Sequence, residues 1–341
     1  MNRKSTSQTC LPLRPRRAWR IWTPWQLVAS LIAFAVSLLE AAPVSESSPA
    51  RFTFRIGFSA TMFTDVNVND ARAAVKVWAQ TIARERDVPT DPEPSILTGM
   101  AELTAALRSN QVDAIALTTD EYGPLSQAVP LAPIFVARVG GHTGEEYVLL
   151  AHRESGITNL GNLRGRNLTT YQNPMACLAP IWLDTLLAQQ GLPPRNEFLG
   201  RVSGNSKLAR VVLPVFFRQC DACLVTRSGF DTMNELNPQT GKALKVLATS
   251  PMLMPAVFCF RANYAPPFKE KLLAAIRNLH GTPAGQQVLT IFRSESMEEQ
   301  PASCMESALE LLATHRRLCL ETNGVAARIP ASDPVQERGG K

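Results

Sequence analysis

The sequence predicts an α/β protein of two doubly wound lobes joined by a double-strand hinge. Three observations lead there. Strand and helix patterns alternate as βαβαβ over residues 51–117 and again over 147–226, the repeating unit of a parallel sheet. Short segments at 140–147 and 250–256 fall where a chain would cross between lobes and return. The chain has 341 residues, 45% hydrophobic and 19% charged, enough for two cores. No repeat of solenoid or propeller period is visible.

In the first set, residues 51–59 (RFTFRIGFS) alternate and are rich in Phe and Ile, as a strand does. A polar loop covers 60–69. Asp70 can cap a helix over 71–84, with Ala74, Val77, Trp78 and Ile82 on one face. Residues 95–97 read as a strand and 99–110 as a helix burying Leu103, Ala106 and Leu107. Strand 112–117 has Asp113 at its mouth and the polar loop 118–122 at its carboxyl end.

Further strands are expected at 131–138, 147–152, 168–171, 198–202, 223–226, 245–248 and 256–260. Helices are expected at 180–190, 207–217, 268–279, 283–292 and 305–317. The predicted organisation is lobe 1 at 51–145, lobe 2 at 146–250, and a return of 251–322 to lobe 1 with the C-terminal helices. A polar tail occupies 323–341. Residues 167–191 are the organising stretch: a short strand, the polar turn 172–177, then an amphipathic helix. A ligand in an open α/β sheet binds at such a strand end, where free N–H groups and the helix dipole favour an anion.

The first fifty residues are of a different character. Arg14, Arg16, Arg17 and Arg20 precede the uncharged apolar run 26–39, and Glu40-Ala41-Ala42-Pro43 leads into a Ser/Pro-rich spacer at 43–50. That is the layout of a signal peptide over residues 1–42. The competing reading is an uncleaved membrane anchor, since residues 21–39 nearly suffice to span a bilayer. Removing 1–42 takes away six basic residues and one acid, so the formal charge of +6 becomes +1. The basic balance therefore belongs to the signal and gives no nucleic-acid footprint. Six cysteines remain (Cys177, Cys220, Cys223, Cys259, Cys304 and Cys319), an even number that suggests disulfides in an exported chain.

Several short motifs occur in a familiar order: Arg55-Ile56-Gly57 opening the first strand, then Val112-Asp113-Ala114 before the 118–122 loop. Leu160-x-x-Leu163-x-Gly165-Arg166, Asp221-Ala222, Ser250-Pro251 and Thr282-Pro283-Ala284-Gly285-Gln286 follow. In this order the chain resembles the type II periplasmic substrate-binding proteins of ABC transporters, nearest to the phosphate/phosphite/phosphonate group, over about residues 53–295. The resemblance implies a periplasmic, monomeric solute-binding protein with no catalytic activity and no cofactor. It would capture a small anionic, phosphonate- or phosphate-like ligand between its lobes and deliver it to an ABC transporter permease. By family position the contacts are Met62 and Phe63 in the first loop, Tyr122 in the second, Asn173 and Cys177 in the organising turn, and Ser206, Lys207 and Arg227 beyond it.

The ligand motif departs from the family. Aligning the family's helix proline on Pro180 puts Asn173, Pro174, Met175 and Ala176 where phosphonate binders of this group carry Ser-Thr-Ser-Gly. Three hydroxyl donors are missing, and Pro174 lacks its N–H. Lys207 lies near the family's histidine position and offers charge instead. Each contact also has a plainer reading: Met62 and Phe63 as loop cover over core, Tyr122 as packing, Asn173-Pro174 as a turn pair, Lys207 and Arg227 as surface charges.

Rival chemistries have weaker support. Cys220-Asp221-Ala222-Cys223 has the spacing of a redox pair, but it runs into the strand-like Leu224-Val225 and not into a helix N-terminus. The four histidines are isolated, so no metal is expected, and no P-loop, dinucleotide fingerprint or nucleophile elbow is present. Asp120-Glu121 and Glu298-Glu299 read as solvated surface. Two alternatives stay beside the solute-binding reading: a membrane-tethered sensory input module of the same fold, and a thiol-active periplasmic protein using Cys220 and Cys223.

Overall fold

A computed structural model describes residues 52–64 and 66–326, with side chains to residue 320. The expected signal segment, the spacer and most of the tail lie outside the described residues. The first set consists of β1 (Ile56–Ser59), α1 (Val68–Arg86), β2 (Ser95–Leu97), α2 (Gly99–Arg108) and β3 (Ala114–Thr118), followed by α3 (Thr119–Ala128) and β4 (Leu131–Arg138). The second lobe contains β5 (Tyr147–His152), β6 (Leu168–Tyr171), α4 (Ala179–Gln189), β7 (Val202–Asn205), α5 (Leu208–Phe216), β8 (Ala222–Thr226), α6 (Arg227–Leu236) and β9 (Leu244–Thr249). The chain then adds β10 (Ala256–Arg261), α7 (Lys269–Arg277), α8 (Pro283–Ile291), β11 (Ser296–Gln300) and α9 (Glu306–Ala326).

Two sheets result, ordered β2-β1-β3-β10-β4-β11 and β7-β6-β8-β5-β9. In each, three strands run parallel, with β1 between β2 and β3 and β6 between β7 and β8. An antiparallel strand that follows a crossing then joins the set: β10 on β3 in the first sheet, β5 on β8 in the second. Strands β3, β5 and β8 are buried at every position, as a sheet covered on both faces requires.

The crossing segments pair with each other. Glu145 N–H donates to the Leu253 carbonyl (2.8 Å) and Leu253 N–H to that of Glu145 (3.0 Å). Ser250 adds its N–H to the Tyr147 carbonyl and accepts from Tyr147 N–H on its Oγ at 2.8 Å. The C-terminal helix, expected to return to lobe 1, packs on both lobes. Met305 and Leu309 join a lobe 1 cluster, whereas Ala308, Leu311 and Leu312 pack into the lobe 2 core.

Where expectation and structure differ, the causes are local. Helix α1 is capped by Asn67, whose Oδ1 accepts from Asn69 and Asp70 N–H, so Asp70 lies inside the first turn and is not the cap. Val77 is exposed, because the buried row is Ala71, Ala74, Val75, Trp78 and Ile82. The loop expected at 118–122 is the start of α3. Gly123 and Pro124 obscured that helix, and Gly123 lets Leu309 and Leu312 of α9 approach closely. Phe198 and Leu199 leave the predicted strand for a helical turn and the lobe 2 core; the polar residues Val202–Asn205 pair with β6 instead. Helix α6 and edge strand β11 were not foreseen. Glu298 and Glu299 of β11 form ion pairs with Arg138 and Arg277, so they are not free surface charges.

None of the six cysteines among the described residues is disulfide-bonded, which corrects the expectation from their even number. Cys223, with Cys220 against it, lies in the lobe 2 core, and Cys259, with Cys304 against it, in that of lobe 1, all as free thiols. Asp113, expected at a strand mouth, is fully buried at the amino end of β3. Its carboxylate accepts from Arg55 N, Nε and Nη2 (2.9, 3.0 and 3.0 Å) and from Arg261 Nη2 (2.5 Å). Removing that carboxylate leaves the buried Arg261 guanidinium uncompensated. Asp113→Ala should therefore cost roughly 3–5 kcal/mol in urea unfolding, and Asp113→Asn less. A loss below about 1 kcal/mol would contradict this account.

Candidate functional site

The carboxyl ends of β1, β3, β6 and β8 meet where the lobes face one another. Helical turns Ala60–Phe63, after β1, and Pro174–Ala176, after β6, lie against each other across this cleft. The lobe 1 wall is organised by Glu121. Its carboxylate accepts the hydroxyl protons of Ser59 (2.7 Å), Thr61 (2.8 Å) and Thr118 (3.0 Å). Glu121 is thus an internal acceptor, not solvated surface. A Thr-x-x-Glu spacing at a strand end is the signature of a capped helix start, and it could have been read at Thr118. With their protons taken by Glu121, Thr61 and Thr118 turn lone pairs to the cleft. Beside them, desolvation between the lobes raises the carboxyl of Asp120, itself exposed on the cleft wall, above the usual range.

The opposing wall is the organising turn, and its backbone does not form an open anion cradle. Asn173 Oδ1 accepts from Met175 N–H (2.9 Å), while Ala176 N–H donates to the Asn173 carbonyl (2.9 Å) and Cys177 N–H to that of Pro174 (3.3 Å). An Asn-Pro pair closes such a turn on itself, so donors must come from side chains. Gln172 lies over Gly204 of the neighbouring strand, where a Cβ would stand 2.3 Å from its Nε2. Arg195, on the helical turn Arg195–Phe198, has a buried Nη1 without a hydrogen-bond partner; its Nε lies 3.7 Å from Asp184.

Two cavities open here. The smaller, about 620 Å³, is polar and is lined by Thr61, Thr118 and Asp120 from one lobe and Gln172, Asn173, Cys177 and Arg195 from the other. The larger, about 970 Å³, runs from the crossing segments into lobe 1; Tyr171, Asn173 and Pro174 line both. Its mouth carries Glu145, Glu146, Arg227, Asp231 and Glu235. Glu145 is buried, accepts from Ser228 N–H (3.1 Å) and the Ser228 hydroxyl, and is raised by burial. Arg227 is held by Glu146 (3.5 Å) and Thr249 (3.2 Å).

The residues expected from sequence therefore separate. Asn173 lines both cavities, Met62 and Arg227 the larger, and Cys177 the smaller. Phe63 packs on Phe58 and Phe292, and Tyr122 is buried in lobe 1 with its phenol pushed up to about 12 by burial. Ser206 and Lys207 precede α5 and line neither cavity. Gln172, in the turn expected to touch a ligand, lines the smaller cavity, whereas Thr61, Thr118, Asp120 and Arg195 were not foreseen.

The Cys220/Cys223 pair has no activated thiol. Burial raises both, and Cys223 is fully enclosed. Cys177 Sγ donates to the Pro255 carbonyl at 3.1 Å, and burial, then Asp120, hold its thiol well above its ordinary value. Native-state alkylation at neutral pH should modify the exposed Cys319 first and reach Cys223 and Cys259 only on unfolding. Rapid labelling of Cys223 in folded protein, followed by thiol counting, would restore the redox reading.

A two-sheet molecule whose strand ends converge on a hinged cleft is a two-lobed binding protein. Residues 61–303 match the family described as ABC transporter, phosphonate, periplasmic substrate-binding protein, and the chain belongs to that family. Its members are substrate-binding components of transport systems. Among solved structures it is similar to XAC2383 from Xanthomonas citri bound to ATP, with 16% identity, a TM-score of 0.57, and 78% of this chain and 98% of that one covered. A binding protein component of an ABC phosphonate transporter from Pseudomonas aeruginosa gives 14%, 0.54, 82% and 90%. PhnD1 from Prochlorococcus marinus in complex with methylphosphonate gives 12%, 0.53, 78% and 98%. At these identities the likeness establishes the type II periplasmic-binding-protein fold. No curated protein matches the sequence. Among the described residues no helix is long and apolar enough to cross a membrane.

Proposed function

We propose that this chain is an exported, non-catalytic solute-binding protein that captures a small oxyacid in its cleft and hands it to an ABC transporter permease. It acts as a monomer in the periplasm and needs no cofactor. The observation that carries the ligand class is the opposed hydrogen-bonding sense of the smaller cavity's two walls. Lobe 1 presents acceptors, namely Asp120 and the lone pairs of Thr61 and Thr118. Lobe 2 lines it with donor side chains, the Gln172 amide and Arg195, whose enclosed Nη1 has no hydrogen-bond partner. A singly protonated phosphonate or phosphate satisfies both: its P–OH donates to lobe 1, and its anionic oxygens accept from lobe 2. A fully ionised oxyanion would face Asp120 with no proton between them.

In a thermal-shift panel, a matching ligand at a hundred times its Kd should stabilise by about 2.7 kcal/mol, several degrees. Alkylphosphonates should give larger shifts than alkylsulfonates of the same size, which carry no acidic proton. Arg195→Ala should weaken binding by about tenfold to a hundredfold. Sulfonates binding as well as phosphonates would remove the protonated-oxyacid reading.

The pH dependence follows from the raised Asp120 carboxyl. At low pH Asp120 and ligand share a proton; as pH rises and that proton is lost, two anions stand side by side. Affinity should fall with rising pH above the ordinary carboxylate range, and Asp120→Asn should flatten the fall in calorimetric titrations. An unchanged slope in that variant would place the titrating group elsewhere.

A further inference from the structure

The larger cavity is out of proportion to a phosphate or a methylphosphonate. At about 970 Å³ it stands at the upper end of the roughly 300–1,000 Å³ that encloses a drug-sized ligand. Its inner part lies within lobe 1, between the sheet and the helices that cover it. Ile56 and Phe58 of the sheet form the floor, Val75 and Trp78 of α1 one side, and Val288 of α8 with Phe292 just after it the other. These side chains belong to the main lobe 1 apolar cluster or pack against it, so the inner part of the cavity is apolar. Tyr171, Asn173 and Pro174 line this chamber and the polar cavity alike, so the two adjoin along the organising turn.

We infer that the chamber receives the apolar tail of the ligand, whose oxyacid head lies in the polar cavity: an amphiphile such as a long-chain alkyl- or arylphosphonate or a phosphate monoester. This rests on the function proposed above and narrows its ligand class. The chamber mouth fixes the orientation. Glu146, Asp231 and Glu235 outnumber Arg227 and Arg293 in its lining, so an anionic head belongs in the polar cavity beside Arg195 and not at the acidic mouth. A second anionic group on the tail is disfavoured for the same reason.

The test is a calorimetric series of n-alkylphosphonates from methyl to decyl on the purified full-length protein, beside uptake of N-phenyl-1-naphthylamine, an uncharged fluorescent probe with no acidic head. Affinity should rise by about fourfold per methylene until the chamber is full. Two variants fill the chamber from opposite sides: Ala116→Phe from β3 and Val75→Phe from α1. Either one that keeps the wild-type Tm should abolish the chain-length dependence and exclude the probe, while methylphosphonate binding persists. An α,ω-alkanebisphosphonate should bind more weakly than the monophosphonate of equal length. Affinity independent of chain length, with methylphosphonate still bound, would overturn this inference and leave the proposed function standing. Probe uptake that is lost on filling, with no oxyacid bound, would support the chamber and overturn the head-group reading instead. Neither probe uptake nor chain-length dependence would overturn the chamber.

Discussion

The architecture depends on one short stretch of backbone pairing, that of the segments around Glu145 and Leu253. Each sheet has a parallel three-strand set from one stretch of chain and an antiparallel strand that follows a crossing. Because β5 and β10 lead away from the paired crossings into opposite lobes, the carboxyl ends of both parallel sets face the same gap. The crossings therefore connect the lobes and also aim the two loop clusters at each other. Glu145 ties its pairing to the start of α6 through Ser228, and α9 reaches across both lobes through Leu309 and Leu312. Relative motion of the lobes must be accommodated around these few contacts.

Hydrogen-bond direction, more than net charge, gives the cleft its character. A threonine hydroxyl is neutral and can face a ligand as donor or acceptor; the neighbour that takes its proton decides which. Glu121 takes those of Thr61 and Thr118, while Asn173 folds its own turn and occupies the amides that would otherwise bind an anion. One wall then accepts and the other donates through Arg195 and Gln172. In the proposed function, donation falls to side chains where residues 173–176 lack hydroxyls, with the Arg195 guanidinium on the same cavity. The large apolar space beneath Met62 belongs to a separate part of the recognition problem.

Much of the fold was legible because strands inside a sheet carry a strong apolar signal. Strands 131–138, 147–152 and 168–171 were bounded correctly from sequence, and each sits inside a sheet where register is fixed on both faces. Edge elements were not legible. β7 is VSGN and β11 is SMEEQ, strands held by pairing and by ion pairs rather than by their own propensity. Helix α3 was hidden by Gly123-Pro124, of which Gly123 lets Leu309 and Leu312 of α9 approach.

The sequence by itself determined the two βαβαβ sets, the family, the place of the organising turn and the departure of residues 173–176 from the family motif. These depend on periodicity and on local residue order, which a chain carries without its partners. Only the tertiary structure decided that Asp113 is a buried ion-pair centre, that Tyr122 lies in the core with Phe63 packed against it, and that Cys223 and Cys259 are free and enclosed in different cores. It also brought Arg195, Asp120 and Thr61 to one cavity. Those residues are scores of positions apart, and only the double crossing sets them face to face.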